Sequence, residues 1–264
     1  MMVEFLVLIL IVGFVTAGLS IRFDRFFTIL LLLFVFKLTI FNAINLFLWV
    51  ILFGALMIIL DNADKISKLP KAMKMKLFTF IPIMTFIFSW LGSYVFMLSS
   101  KTVLIVTLGI IAILYGLRLV FIHFAPDELD LTNASPTIVK LCGIFGPIIS
   151  GFFIGFIGTS LKPLKIPFAI KFGKMNAKQV YLGNTITTFF AAFFTIIWHF
   201  VMSKGAITGA IFYQQMILGA ALWTGIHYTF ELTNIFFKNS WRKPFQIIIG
   251  LTLLLVSIKV FMMI

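Results

Sequence analysis

The feature that most limits what this chain can become is a succession of apolar runs. Several reach or approach the ~20 residues that a helix needs to cross the hydrocarbon core of a bilayer. In order they are 3–20, 26–36, 42–60, 77–98 and 102–122, then 141–160, 164–172, 177–202, 206–230 and 244–264, with a more polar linker at 123–140 between the two sets. Of the 264 residues, 62% are apolar and 11% are charged, where soluble chains hold roughly 45–50% and about 25%. So little polar surface excludes a soluble fold and selects an all-α polytopic membrane protein. A membrane β-barrel is excluded as well, because it needs ~10-residue alternating strands and these runs are unbroken.

Charge sharpens the reading. The formal net charge is +13, but the basic residues stand between the apolar runs, where lysines orient helices by the positive-inside rule. No nucleic-acid partner is expected; the lipid bilayer is. The segment 61–76 carries Lys65, Lys68, Lys71, Lys74 and Lys76, which predicts a cytoplasmic loop. After Met202 only Lys204 follows before the next run, as an outside loop would have it. The single Cys142 leaves no intramolecular disulfide, and no Cys/His ligand cluster occurs, so neither metal nor cofactor is expected. The first run begins MMVEFLVLIL, with Glu4 and no basic region; it is expected to stay in the protein as a helix rather than serve as a cleaved leader.

Each set reads long, short, long, long, long, which predicts two transmembrane repeats, 1–122 and 141–264, joined by the linker 123–140. Aligning Asn45 with Asn184 places Thr28 against Pro167 and Arg22 against Leu161; farther on, SSKTVLIVTLGIIAILYGLRLVF parallels WRKPFQIIIGLTLLLVSIKVF. A long and a short run that enter and leave on one face contribute no net crossing. The three remaining helices give each repeat an odd number of crossings, so the two repeats are expected to be inverted. Each would hold a broken or re-entrant helix pair and three spanning helices, eight to ten segments in all. The acidic linker residues Asp127, Glu128 and Asp130 fall on the inner side in this scheme, where acidic residues count little.

The stretch 141–195 carries the candidate chemistry. Gly143, Gly146, Ser150, Gly151, Gly155 and Gly158 line an apolar helix that breaks at 159–163 before a piece too short to cross a bilayer. Small residues let helices pack closely, but non-helical backbone at membrane depth needs protein or water to satisfy it, which points to a cavity. Amides at the start of the following half-helix suit an anion. Lys162 and Lys165 flank this break as Arg22 and Arg25 flank Ser20, with Asp24 between the arginines. These cations either snorkel from helix ends or face a bound anion. Asn45 and Asn184 either bond a neighbouring helix or line a site at the repeat interface. Ser160, Thr185 and its neighbours Thr187 and Thr188 add polar groups beside them. His227 and Glu231, four apart on one face, form a candidate proton-carrying pair or an interfacial one. His199, beside Trp198, is expected at the interface. No P-loop, HExxH motif or plausible triad occurs in the sequence, so it is not expected to be an enzyme, and pumping would be secondary or depend on a partner.

The segments GFIGTSLKPLKIP and KQVYLGNT resemble the sulfite exporter TauE/SafE family of bacterial membrane transporters. That family's motif is approximately GxxGxGGGxxxxP, followed by a GTS-like helix start. Gly155, Gly158 and Pro167 hold motif positions, and Gly183-Asn184-Thr185 stands where the triplet falls. The likeness extends over nearly the whole chain. It implies a multi-pass protein of the bacterial plasma membrane that exports a small anion, sulfite or an organosulfonate, held near mid-membrane between the two broken helices. Substrate contacts would fall to Asn45, Ser160, Lys162, Asn184, Thr185 and Arg22, and access would alternate as the halves rock. The chain departs from the motif where Ser160-Leu161-Lys162 replaces the glycine triplet, and where Trp223 and His227 interrupt a Gly-rich penultimate helix. A non-transporting scaffold or accessory subunit is the other reading of those changes.

Overall fold

The computed structural model describes residues 2–19, 26–34, 36–121, 136–171, 175–203, 207–237 and 239–262, and every regular element among them is helical. In chain order these are α1 (Met2–Gly18), α2 (Phe26–Phe34), α3 (Ile40–Asp61), α4 (Ala63–Ser67), α5 (Lys71–Met75), α6 (Ile81–Leu98), α7 (Lys101–Phe121), α8 (Pro136–Ile157), α9 (Lys162–Lys171), α10 (Ala177–Met202), α11 (Gly209–Asn234) and α12 (Asn239–Phe261). Six segments are long and apolar enough to cross a membrane: Ile40–Asp61, Met73–Leu98, Lys101–Phe121, Thr137–Ile157, Gln179–Met202 and Trp241–Phe261. The chain is thus a multi-pass membrane protein. α11 is as long as α10, yet Gln214, Gln215, His227 and Glu231 make it less apolar and it falls outside the six.

Local chemistry accounts for most boundaries. The Asn176 side chain accepts from the Gln179 N–H at 3.3 Å and starts α10 at Ala177, satisfying a donor that the first turn leaves open. The lysine-rich segment read as a loop contains the short helices α4 and α5. Between α5 and α6, Lys76–Phe80 winds as a π-helix. Pro82 lies just beyond it; it cannot donate to the Phe78 carbonyl and its ring crowds that oxygen, a conflict that wider winding relieves.

The contacts divide the chain into two compact units. Unit 1 holds Met1–Val50, Ser99–His123 and Gly209–Ile264; unit 2 holds Ile51–Leu98 and Phe124–Thr208. Each draws helices from both sequence sets.

Unit 2 is built on α6, α8 and α10. A Cβ on Gly92 would collide with the Phe152 carbonyl, and one on Gly155 would lie 2.5 Å from the Ser89 carbonyl. α6 and α8 therefore cross backbone to backbone, the packing small residues allow where lipid offers no hydrophobic drive. Gly151 meets Thr85 and Phe88, while Gly155 meets Ser89, Gly92 and Ser93, so the two helices run parallel. α10 runs the same way: Phe190 lies 6.4 Å from Phe78, Phe194 5.2 Å from Phe86, and His199 4.3 Å from Phe96, centroid to centroid. Ile66, Leu77, Ile81 and Ile186 form a buried cluster with Ile59 packed against it. The end of α3 thus arrives where α6 and α10 depart.

Unit 1 pairs α1 with α11 and α7 with α12. Gly13 meets Ile226 and Thr229, and Gly225 meets Ile9, so α1 and α11 are parallel. Gly109 meets Phe261, whereas Gly116 and Gly250 each face the other's carbonyl; α7 and α12 are antiparallel. The Arg242 guanidinium donates to the Ala17 carbonyl at 3.2 Å, to Asn234 Oδ1 at 3.1 Å and to the Phe237 carbonyl at 3.5 Å. One cation so serves the C-terminal ends of both α1 and α11, where helix carbonyls lack partners.

Candidate functional site

The site residues of unit 2 are positioned by the α8–α9–α10 sequence. α8 ends on glycine: the Gly158 N–H donates to the Ile154 carbonyl at 2.9 Å and Gly158 turns left-handed at φ 74°, a common helix stop. Leu161 is also left-handed, at φ 50°, which costs a side-chain-bearing residue about 1–2 kcal/mol. The break therefore falls at Gly158–Leu161, slightly before the expected place. α9 begins with Lys162 itself, and Pro163 occupies its first turn, where a missing N–H breaks no helical bond. With 10 residues, α9 is about 15 Å long, half a bilayer core.

The break is polar and yet enclosed. Thr159 and Ser160 are buried, and Lys162 is 4% exposed, with its Nζ 5.4 Å from the centroid of the Tyr181 ring. A cation over an aromatic face recovers part of the cost of leaving water. One turn along α9, Lys165 Nζ donates to Ser150 Oγ on α8. Ser150 is fully buried and adjoins Gly151, which meets Thr85 near the middle of the span Met73–Leu98. An ammonium group consequently sits at mid-span.

On α10 the polar residues divide. Thr185, Thr187 and Thr188 donate to the carbonyls of Tyr181, Gly183 and Asn184, each at 2.8 Å. Their donors are spent on their own helix. Asn184 differs: its Nδ2 is buried and has no hydrogen-bond partner among the described residues. An amide donor and two ammonium groups are what this region offers a ligand, and all three favour an acceptor-rich or anionic one.

His199 lies three residues from the end of α10 and is buried within the unit. It is 1% exposed, shares a 2.9 Å hydrogen bond with the Gly155 carbonyl, and stacks on Phe96. Gly155 is also where α8 lies against α6, one turn before the break. Sequence reasoning read the histidine by its neighbour Trp198 and missed this bond. It also missed Ser150 as the partner of Lys165, although that serine is the one hydroxyl among the small residues of 143–158.

In unit 1, Asn45 is buried on α3. The His227 ring stacks on Trp223 at 5.1 Å and lies 6.0 Å from Tyr228, and Glu231 follows one turn on, half-buried. Ser20, Arg22, Asp24, Arg25 and the acidic linker residues lie outside the described residues. Among the described residues, no group of three or more His, Cys, Asp or Glu side chains is placed to hold a metal ion.

No protein-family model matches the chain, and neither the curated proteins nor the solved structures compared with it give a significant match.

Proposed function

We propose that this chain is a secondary transporter of a small anion in the bacterial plasma membrane, with sulfite or an organosulfonate as the substrate its resemblance to the TauE/SafE family favours. The observation that carries the reading is the pair of lysines on a half-length helix. Lys162 is enclosed beside Tyr181 and Lys165 reaches mid-span at Ser150. Cations are costly at membrane depth and are retained there chiefly for function. An anion on this half-helix would meet both charges, with the Asn184 amide as a further donor.

The helix directions support inverted repeats. Under the correspondence α1–α8, α2–α9, α3–α10, α6–α11 and α7–α12, the parallel pair α1/α11 exchanges with the parallel pair α8/α6. Corresponding helices oppose each other: α7 is antiparallel to α12, and α3 ends where α10 begins. An axis in the membrane plane produces such opposition; an axis along the normal would not. The left-handed Leu161 supports the family resemblance too, since it stands where the motif has glycine and adopts a backbone that glycine adopts freely.

One observation favours the scaffold reading: both lysines already have partners inside unit 2. Flux of labelled sulfite into proteoliposomes, normalised to inserted protein, separates the two. For a transporter, Lys162→Glu should lower flux at least about tenfold, since ~1.4 kcal/mol of lost attraction suffices for that factor, and Lys162→Gly should weaken it or change selectivity. Wild-type protein without flux of any sulfur oxyanion would leave the scaffold. Flux gained only in Lys162→Gly would mean that the lysine fills an older site.

A further inference from the structure

The end of unit 2 from which α6, α8 and α10 depart carries a charge pattern that the transport reading leaves unused. Lys65, Lys68, Lys71, Lys74 and Lys76 crowd α4, α5 and the first π-turn, and Lys140 lies in the first turns of α8. Asp61 and Asp64 are the acidic residues of the same segment. Three of these lysines are engaged within the unit: Lys65 Nζ donates to Asn62 Oδ1 at 2.9 Å, Lys74 to the Ser67 carbonyl, and Lys76 fills the notch that Gly143 leaves on α8. Lys68 and Lys71 are exposed, and neither ammonium group has a hydrogen-bond or ion-pair partner among the described residues. They flank Leu69-Pro70 at the turn between α4 and α5, three residues apart.

The apolar side of the ledge is also uncovered. Met73 and Phe78 are exposed and Met75 is 65% exposed, while Ile66 fixes the ledge to the core through the cluster with Leu77, Ile81 and Ile186. Free ammonium groups beside outward methionines, at the mouth of a spanning helix, match a surface with anionic phosphate above and acyl chain below. We propose that α4 and α5 form a docking ledge for anionic phospholipid, with Lys68 and Lys71 contacting the headgroup phosphate and Met73 and Met75 lying against the acyl chains. The attraction comes from the surface potential of an anionic leaflet acting on a juxtamembrane basic cluster. It fades within a Debye length, about 10 Å at 0.1 M salt. The ledge does not depend on whether the protein transports.

The test uses the full chain with Cys142→Ser and an environment-sensitive fluorophore on Ala63→Cys, in vesicles of phosphatidylcholine containing spin-labelled phosphatidylglycerol or spin-labelled phosphatidylcholine. Quenching should report phosphatidylglycerol near the label on the order of thirtyfold over phosphatidylcholine, a preference of the size two lysines at an anionic surface give. The ratio should fall toward unity in Lys68→Gln/Lys71→Gln and in high salt, and return in Lys68→Arg/Lys71→Arg. Thermal unfolding of each variant confirms that the fold is intact. The ledge is ruled out if the glutamine variant keeps the wild-type ratio or if the arginine variant fails to restore it. A label that responds equally to inorganic phosphate in detergent would indicate a soluble-anion site and overturn the leaflet assignment.

Discussion

Glycines in this chain do unlike work, and what a methyl group would meet tells them apart. At Gly92 and Gly155 it would strike backbone of the facing helix, which cannot turn aside; at Gly146 and Gly183 it would meet nothing within 4 Å. Gly92→Ala or Gly155→Ala should cost about 1–3 kcal/mol, the usual penalty of overpacking. Gly146→Ala or Gly183→Ala should be neutral or stabilise by up to ~1 kcal/mol through helix propensity. Reversible unfolding in mixed micelles measures the difference, and equal effects at all four positions would refute the close crossing of α6 and α8. From sequence alone the glycines of 143–158 form one undivided stripe. What sorts them is the partner helix α6, distant in the chain and not marked by any shared motif. The same distance hid the bond of His199 to Gly155. Lys162 and Lys165 were legible at once, because a lysine inside an apolar run is conspicuous whatever surrounds it.

At the level of elements, the lengths of the apolar runs foreshadow the long helices. The apolar runs 141–160 and 177–202 foreshadow α8 and α10, while the Gly158 stop and the Asn176 cap that bound them emerge only in the structure. Less legible were α4 and α5, whose lysines read as solvent, and the π-turn ahead of Pro82, where a local steric conflict shapes a helix without ending it. The α8–α9–α10 sequence yields two contrasted predictions. Asn184→Ala removes a buried amide nitrogen that contributes no bond, so stability should change by less than about 0.5 kcal/mol, while anion flux falls. Ser150→Ala instead strips Lys165 of its acceptor and should destabilise by about 1–3 kcal/mol, the cost of a buried polar group left unpaired. Paired unfolding and flux measurements check both. An Asn184→Ala protein that unfolds as readily as Ser150→Ala would make the asparagine a structural residue.

For the whole molecule, the sequence displays two sets of helices, and the structure assembles two units that each take from both. Hydropathy can count segments and suggest their directions, but it carries no information on which ones touch. Direction is testable: a membrane-impermeant thiol reagent applied to intact cells, with Cys142→Ser, should modify a cysteine at Lys204 and spare one at Lys68. Modification of both from one side would overturn the inverted arrangement. The makeup of the units also has a consequence in time. Unit 2 is complete once residue 208 has left the ribosome, whereas unit 1 waits for residues 209–264. Until then α1 lacks α11, α7 lacks α12, and the Ala17 carbonyl lacks Arg242. α1, made long before α11, is thus among the last of the described helices to complete its contacts, with α2 packed on it meanwhile. Nascent chains halted just after residue 208 has cleared the ribosome should accordingly already resist protease across unit 2 while α1 and α7 remain open to crosslinking with the insertion machinery.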